Sequence, residues 1–158
     1  MRKSQVATAF ATFLATLVWV APAPASAGFS TTEQVLLSEM NRVRASHGLV
    51  RLRLDWTLQR AARSHSADML RRDYFAHGDF ATRLTRFGAR GPRIGENLAW
   101  GVGTRARARS IVRMWLDSPG HRRNLLRSGF RRVGVASLAG TFRGYRGARV
   151  VTADFAGT

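Results

Sequence analysis

Apolar residues recur at helical spacing through the first half of the chain and predict two long helices. The first begins at Thr31-Thr32, where a threonine cap is followed three residues later by Gln34, and it ends at Gly48. The second begins at Asp55, a favourable N-cap residue, and its apolar face includes His65. Because His65 lies among apolar positions, we interpret it first as a satisfied core histidine, with a role in a site as the alternative.

Three shorter helical patterns follow along the chain. Apolar residues at helical spacing in the segment Phe80–Phe87, closed by Gly88, predict a short helix. A second helix is predicted to begin at a Thr104 cap. The third begins at Ser118-Pro119, because serine at the cap and proline at the first helical position are favoured start signals, and its third residue is His121.

Strand patterns occur mainly late in the sequence. The glycine-punctuated run Ile94–Gly101 is strand-like, and two β-rich runs follow at Val133–Leu138 and Arg149–Phe155. A glycine-rich turn region, Gly140–Gly147, separates the last two runs and predicts an antiparallel pair. Helices first and strands late indicate an α+β fold rather than alternating βαβ units.

The first 27 residues lie outside this pattern and resemble a secretory signal. Arg2 and Lys3 precede the apolar run Val6–Val20, and Ala25-Ser26-Ala27 has the small residues that a signal peptidase accepts. We therefore predict a signal peptide over residues 1–27, cleavage after Ala27 and a single domain over residues 28–158. A retained membrane anchor is the alternative, but the run is shorter than the roughly 20 residues that a membrane span needs.

The chain is strongly basic, with a net charge of +17. Without Arg2 and Lys3, 24 basic residues, all arginine, face nine acidic residues. The arginines are spread along the domain without interleaved aromatics or a nucleic-acid-binding motif, which argues against a nucleic-acid partner. In an exported protein, anionic wall polymers or lipid headgroups are better matched partners. The absence of cysteine excludes disulfides, thiolate catalysis and cysteine-ligated zinc.

Three polar residues from separate elements, each beside a glycine, form a candidate site: His77, Glu96 and His121. Glu96 stands in an apolar run and therefore needs a partner if it is buried. The helix start disfavours the imidazolium form and lowers the pKa of His121, so the neutral ring can bind a metal or act as a base. Two histidines and a carboxylate would suit zinc with one open position, although no HExxH spacing is present.

These motifs together resemble the bacterial branch of the CAP superfamily, the cysteine-rich secretory, antigen 5 and pathogenesis-related-1 proteins, or SCP domains. The similarity lies in His77-Gly78, Gly95–Ala99 and the segment Trp115–Leu126, and it extends over roughly residues 31–155. The resemblance implies a three-layer α-β-α sandwich with a central antiparallel sheet.

The resemblance also implies a cleft with two histidines and two acids, where some members bind zinc or another divalent cation. His77, Glu96 and His121 match three of these positions. Where eukaryotic members have a glutamate, this chain has Ser118, and we carry the neighbouring Asp117 as a substitute acid. The metal prediction therefore names His77 and His121 as ligands, with Glu96 as the nearby acid.

From this resemblance we predict a secreted, monomeric CAP/SCP-domain protein that lies outside the cell or at its envelope. Its cleft is expected to bind a divalent metal or a small or lipidic ligand. One alternative is a metal-dependent envelope hydrolase with Glu96 as its acid/base and His77 and His121 on the metal, which the missing second acid disfavours. Another is a basic interaction module for anionic wall polymers or lipids. A purely structural polar cluster also stays open, because a family match does not determine function.

Overall fold

A computed structural model describes residues 28–157, so the predicted signal peptide, residues 1–27, lies outside the described residues. The helices are α1 (Thr31–Ser46), α2 (Trp56–Arg72), α3 (Phe80–Arg86), α4 (Ala108–Asp117) and α5 (Pro119–Leu125), with a 3₁₀ turn at Gly103–Ala106. The strands are β1 (Arg53–Leu54), β2 (Ile94–Gly101), β3 (Phe130–Phe142) and β4 (Tyr145–Gly157).

The four strands form one sheet in the order β1-β3-β4-β2. The β3–β4 and β4–β2 pairs are antiparallel, and the two-residue β1 runs parallel to β3. Helices cover both faces of this sheet, which confirms the predicted three-layer α+β sandwich. Within residues 28–157, no helix combines the length and the apolar character that crossing a bilayer requires.

Alternation along β4 divides the core between the two faces of the sheet. Val151, Ala153 and Phe155 pack with α1, α4 and α5. Val150 points to the other face, where it packs with residues of α2 and the segment that follows it. Thr152 also lies on this second face and hydrogen-bonds Ser66 of α2, with 2.8 Å between the two hydroxyl oxygens. Because β2 pairs only with β4, its outer edge is left open between the two helical layers.

Two predicted helix starts are displaced from their observed positions. The N-cap of α1 is Ser30, not a threonine, and the Glu33 carboxylate accepts a hydrogen bond from the Ser30 N–H at 2.8 Å, completing a capping box. Ser30 is the last residue with extended backbone angles, so its side chain reaches the free N–H groups of the first turn. Thr104 lies inside the 3₁₀ turn, and α4 begins at Ala108 without a side-chain cap.

The final hairpin is longer than predicted. β3 and β4 have 13 residues each, and they are joined at Arg143-Gly144, where both residues have positive φ angles of 48° and 79°. The predicted antiparallel pair is confirmed, and its turn lies within the predicted region Gly140–Gly147. The predicted extent of the turn is wrong, because strand pairing continues into that region, to the Phe142–Tyr145 pair.

The backbones of α2 and β3 approach closely at Gly134. A Cβ atom at this glycine would lie 2.0 Å from the carbonyl carbon of Leu58, a distance that no side chain can tolerate. Next to it, the Val135 N–H donates to Gln59 Oε1 at 2.7 Å. The predicted cap of α2 is also present, since Asp55 Oδ1 accepts from the N–H groups of Thr57 and Leu58. These contacts fix α2, and therefore His65, against the sheet.

A buried arginine joins α1 to the segment between α5 and β3. Arg44 is fully buried, and burial lowers the pKa of its guanidinium, with a smaller effect from the charge of Arg131. The side chain donates only to backbone carbonyls, at distances of 2.7–3.1 Å. The accepting carbonyls are those of Val50, Leu125, Arg127 and Phe130.

Candidate functional site

The centre of the polar cluster is Glu96, whose side chain is fully buried. One carboxylate oxygen accepts a hydrogen bond from His77 Nδ1 at 2.7 Å, and the other accepts one from the Arg83 guanidinium. His65 Nε2 lies 3.8 Å from the Arg83-bound oxygen. Glu96 thus has the partners that its position in an apolar strand requires. Since it exposes no side-chain surface, it can affect a cleft ligand only through its neighbours.

His77 is the partly exposed member of this cluster. It lies in the segment between α2 and α3, just before Gly78, whose φ of +57° is in the left-handed region that favours glycine. Its side chain is 48% exposed, and Arg83 donates to its carbonyl oxygen at 3.2 Å. Because Nδ1 is bound to Glu96, Nε2 is the ring nitrogen that remains for a ligand. A carboxylate in this position orients the histidine ring and increases its basicity toward a metal.

His65 behaves mainly as the satisfied core histidine of the first interpretation. It is 3% exposed, and its Nε2 lies 3.0 Å from the carbonyl oxygen of Ala76. Burial is the largest cause that lowers its pKa, although the nearby Glu96 charge opposes the shift. Through this contact, His65 holds the backbone of Ala76, the residue before His77, against α2.

His121 approaches His77 from the opposite helical layer. It is the third residue of α5, as predicted, and the two histidine rings have centroids 6.1 Å apart. Burial, and after it the charge of His77, lowers the pKa of His121. The lowered pKa agrees with the prediction, but its causes are burial and His77 rather than the helix start. Neutral imidazole is therefore the dominant form near neutral pH.

Two asparagines fix α5 on β2 and were not anticipated from the sequence. Asn97 Nδ2 donates to the carbonyl oxygen of His121 at 2.9 Å. Asn124 Nδ2 contacts the Glu96 carbonyl oxygen and Asn97 Oδ1, both at 3.1 Å. Gly95 makes room for this arrangement, because a Cβ there would lie 3.1 Å from Asn124 Oδ1. The residues flanking Glu96 thus determine where His121 lies.

Asp154 is a second buried acid of the cluster that sequence reasoning missed. It pairs with Glu96 in the β2–β4 register, and its two carboxyl oxygens find no hydrogen-bond donor among the described residues. Burial, then the negative charge of Glu96, raises the pKa of Asp154 well above its ordinary value. An aspartate inside the apolar run Val150–Ala156 was the available signal.

The fourth position of the family's site is Ser118 in this chain, and the predicted substitute acid, Asp117, is not in the cavity lining. Asp117 is exposed at the end of α4, whereas Ser118 lines a cavity together with His121. Among residues 28–157, no three histidine or acidic side chains are arranged to hold a metal ion. The predicted ligands His77 and His121 have ring centroids 6.1 Å apart, and an ion between them would need further ligands, because zinc in proteins is typically four-coordinate.

The cavity, of about 530 Å³, lies along the open edge of β2. Its walls come from both helical layers and are mainly aromatic and aliphatic. The polar side chains in its lining are Arg105, Ser118 and His121. The apolar lining includes Phe75, Leu98, Trp100, Val102, Met114, Trp115 and Tyr145.

The chain is similar in sequence to a known protein family and to two bacterial proteins. The model of the cysteine-rich secretory protein family (CAP) matches residues 37–155. The uncharacterized protein YkwD of Bacillus subtilis strain 168 is 35% identical over 116 residues, or 70% of this chain and 44% of YkwD. The uncharacterized membrane protein YlbC of the same strain is 34% identical over 111 residues, or 67% of this chain and 31% of YlbC. The chain thus spans less than half of either relative.

Solved structures share the fold. An extracellular protein containing a SCP domain from Bacillus anthracis superimposes with a TM-score of 0.65 at 29% identity, covering 79% of this chain and 40% of that protein. An outer surface protein from Borrelia burgdorferi gives a TM-score of 0.69 at 20% identity, covering 83% of this chain and 96% of that chain. With the family match over residues 37–155, the chain belongs to the cysteine-rich secretory protein (CAP) family.

Proposed function

We propose that this protein is an extracellular or envelope-associated CAP-domain protein whose cleft binds a small apolar or lipidic ligand. The observation that carries the proposal is the cavity of about 530 Å³, whose lining is mainly apolar and includes a few polar groups. This size and polarity are typical of small-molecule sites. The location is supported by the predicted signal segment and by the similarity to an extracellular protein of Bacillus anthracis and an outer surface protein of Borrelia burgdorferi.

The cavity walls are held in place by contacts that do not need a ligand. Trp115 is fully buried, and its Nε1 donates to the carbonyl oxygen of Leu98 at 2.9 Å. Trp100 packs on Phe142 and Tyr145, with ring centroids 5.4 and 5.8 Å apart. A rigid apolar cavity favours binding, because little side-chain entropy is lost when a ligand enters.

Binding of the neutral fluorophore N-phenylnaphthylamine tests this proposal. We expect saturable fluorescence enhancement with the wild type and at least about tenfold weaker binding for Val102→Trp, whose indole occupies the cavity. Val35→Trp is the matched control, since Val35 is 48% exposed on α1 and lies outside the cavity lining. The proposal fails if the wild type shows no saturable binding, or if Val102→Trp binds like the wild type while both variants remain folded by circular dichroism.

A second candidate function, divalent-metal binding, is favoured by the relationship between His77 and His121. Their ring centroids are 6.1 Å apart, and Glu96 holds His77 Nδ1 so that Nε2 is free for a ligand. The neutral state of His121 suits the same role. A bound ion would supply a positive charge at the cleft that can hold an oxygen atom of a ligand.

Calorimetric titration with zinc chloride tests the metal candidate. We expect measurable heat for the wild type and none for the combined His77→Ala and His121→Ala variant. His47→Ala is the control, because His47 is exposed at the end of α1, with its Nδ1 2.9 Å from the Val43 carbonyl oxygen. No heat with the wild type, or heat unchanged in the double variant, would rule out this site.

A further inference from the structure

We infer that the cleft selects ligands with an anionic head group, which Arg105 binds at the rim. The inference rests on the proposed ligand-binding function and adds the chemical class of the ligand. Among the described residues that line the cavity, Arg105 is the single one with a permanent charge. A cation beside an otherwise apolar cavity is complementary to an amphiphile whose apolar part is buried and whose head is negative.

The position of Arg105 is determined by the packing of the 3₁₀ turn on β2. A Cβ atom at Gly101 would lie 2.8 Å from the carbonyl carbon and oxygen of Arg105, so only glycine permits this approach. The Arg105 N–H donates to the Val102 carbonyl at 3.1 Å. From α4, the Ser110 hydroxyl donates to the Thr104 carbonyl of this turn at 2.8 Å. Arg105 therefore extends from a backbone that is held at the cavity rim.

The charge of Arg105 is available for a ligand. No carboxylate of the described residues lies within 4.0 Å of its guanidinium nitrogens, and the closest recorded polar contact is Met114 Sδ, at 3.8 Å from Nη2. A thioether sulfur is only a weak hydrogen-bond acceptor. Several other arginines are already committed, since Arg83 binds Glu96 and Arg132 binds Asp55. A ligand carboxylate, sulfonate or phosphate would provide a strong acceptor for Arg105.

The other polar groups of the cavity also tolerate a negative head. Ser118 offers a hydroxyl, and His121 offers its imidazole ring. No acidic residue belongs to the described lining, so nothing there repels an anion. The polar part of the lining thus consists of hydrogen-bonding groups and one cation, and the rest of the lining is apolar.

Two related fluorophores provide a direct test. Anilinonaphthalenesulfonate and N-phenylnaphthylamine share one ring system and differ by the sulfonate. At about 0.15 M salt, where the Debye length is about 8 Å, distant surface charges are largely screened. We expect Arg105→Gln to weaken sulfonate binding about tenfold, as expected for loss of one charge-assisted contact, and to leave neutral-probe binding within about twofold. Arg105→Lys should retain most of the preference.

Arg109→Gln is the matched control. It removes the same charge from an exposed position on α4 that is not part of the cavity lining, so both probes should bind as they do to the wild type. The inference is overturned if Arg105→Gln leaves the ratio of the two affinities unchanged, or if Arg109→Gln lowers it equally. Failure of the neutral probe to bind the wild type would instead contradict the proposed function itself.

Discussion

Glu96 and Asp154 face each other across the β2–β4 pair, and both side chains are buried on the sheet face that α2 covers. Two ionised carboxylates in this position would repel each other in a medium of low dielectric constant. Glu96 is hydrogen-bonded to Arg83 and His77, whereas the Asp154 carboxyl has no hydrogen-bond partner among the described residues. Burial, and after it the charge of Glu96, accordingly raises the pKa of Asp154.

The first prediction concerns the pH dependence of stability. The folded-state pKa of Asp154 is raised above its ordinary value of 3.8, so its contribution is fully present below that value. It is lost as the pH rises through the folded-state pKa, because the folded protein then has to ionise a buried acid. We expect Asp154→Asn to remove this fall in the free energy of unfolding, measured by urea denaturation over a pH series.

Asp79→Asn is an informative comparison for that series. Asp79 caps α3 through Thr82, and this hydrogen bonding lowers its pKa, so its contribution is lost as the pH falls. The two variants should therefore change the pH profile in opposite directions. Equal pH profiles for the wild type and Asp154→Asn would show that Asp154 is ionised in the folded protein.

A second prediction concerns coupling between the two cleft histidines. The pKa of His121 is lowered by burial and by the charge of His77, so removal of that charge should bring it part of the way back toward 6.5. NMR titration of the His121 ring in the wild type and in His77→Gln measures this shift. His47→Gln should leave the His121 titration unchanged, and an unchanged titration in His77→Gln would mean that burial alone sets the pKa.

A third prediction concerns Arg44. Arg44→Met keeps most of the side-chain volume but removes the donor to four carbonyl oxygens, and those of Val50 and Leu125 have no other side-chain donor. The carbonyls of Arg127 and Phe130 keep a second donor. We expect a loss of about 4 kcal/mol in the free energy of unfolding, since each buried unsatisfied group costs about 1–3 kcal/mol. Arg42→Met, which removes an exposed ion pair with Glu39, should cost less than about 1 kcal/mol. Similar denaturation midpoints for the two variants would contradict the role assigned to Arg44.

The fourth prediction concerns the contact between α2 and β3. Gly134→Ala should separate the two elements and cost more than about 3 kcal/mol of stability, because the added methyl group would overlap the backbone at Leu58. Gly120→Ala has nothing closer than 3.9 Å to its new methyl group and should be nearly neutral. Thermal unfolding of both variants measures the difference, and a tolerated Gly134→Ala would mean that α2 can slide over β3.

Elements with local signals were predictable from the sequence. Glycines and apolar residues defined β2 at Ile94–Gly101, and Asp55 identified the start of α2. Features that depend on tertiary contacts could not be predicted from the sequence. The N-cap of α1 is Ser30 rather than the predicted threonine, and this difference depends on the backbone angles of one residue. The length of the last hairpin depends on strand pairing that continues through glycines.

The site shows the same division. His77, Glu96 and His121 could be singled out because each stands beside a glycine in a recognisable motif. Arg83 and Asp154 could not be assigned to them, since cross-strand register and helix packing bring them together from distant parts of the chain. Asp117 is adjacent in sequence to the cleft residue Ser118, but it is exposed at the end of α4.

Arg44 also has a consequence for where this chain can fold. Its guanidinium joins α1 to carbonyls more than 80 positions away, a span over which many exported domains use a disulfide. The sequence contains no cysteine, so neither this connection nor any other depends on oxidation. Thiol reductants should leave its unfolding curve unchanged, and the domain can reach its native state equally well in reducing and oxidising compartments.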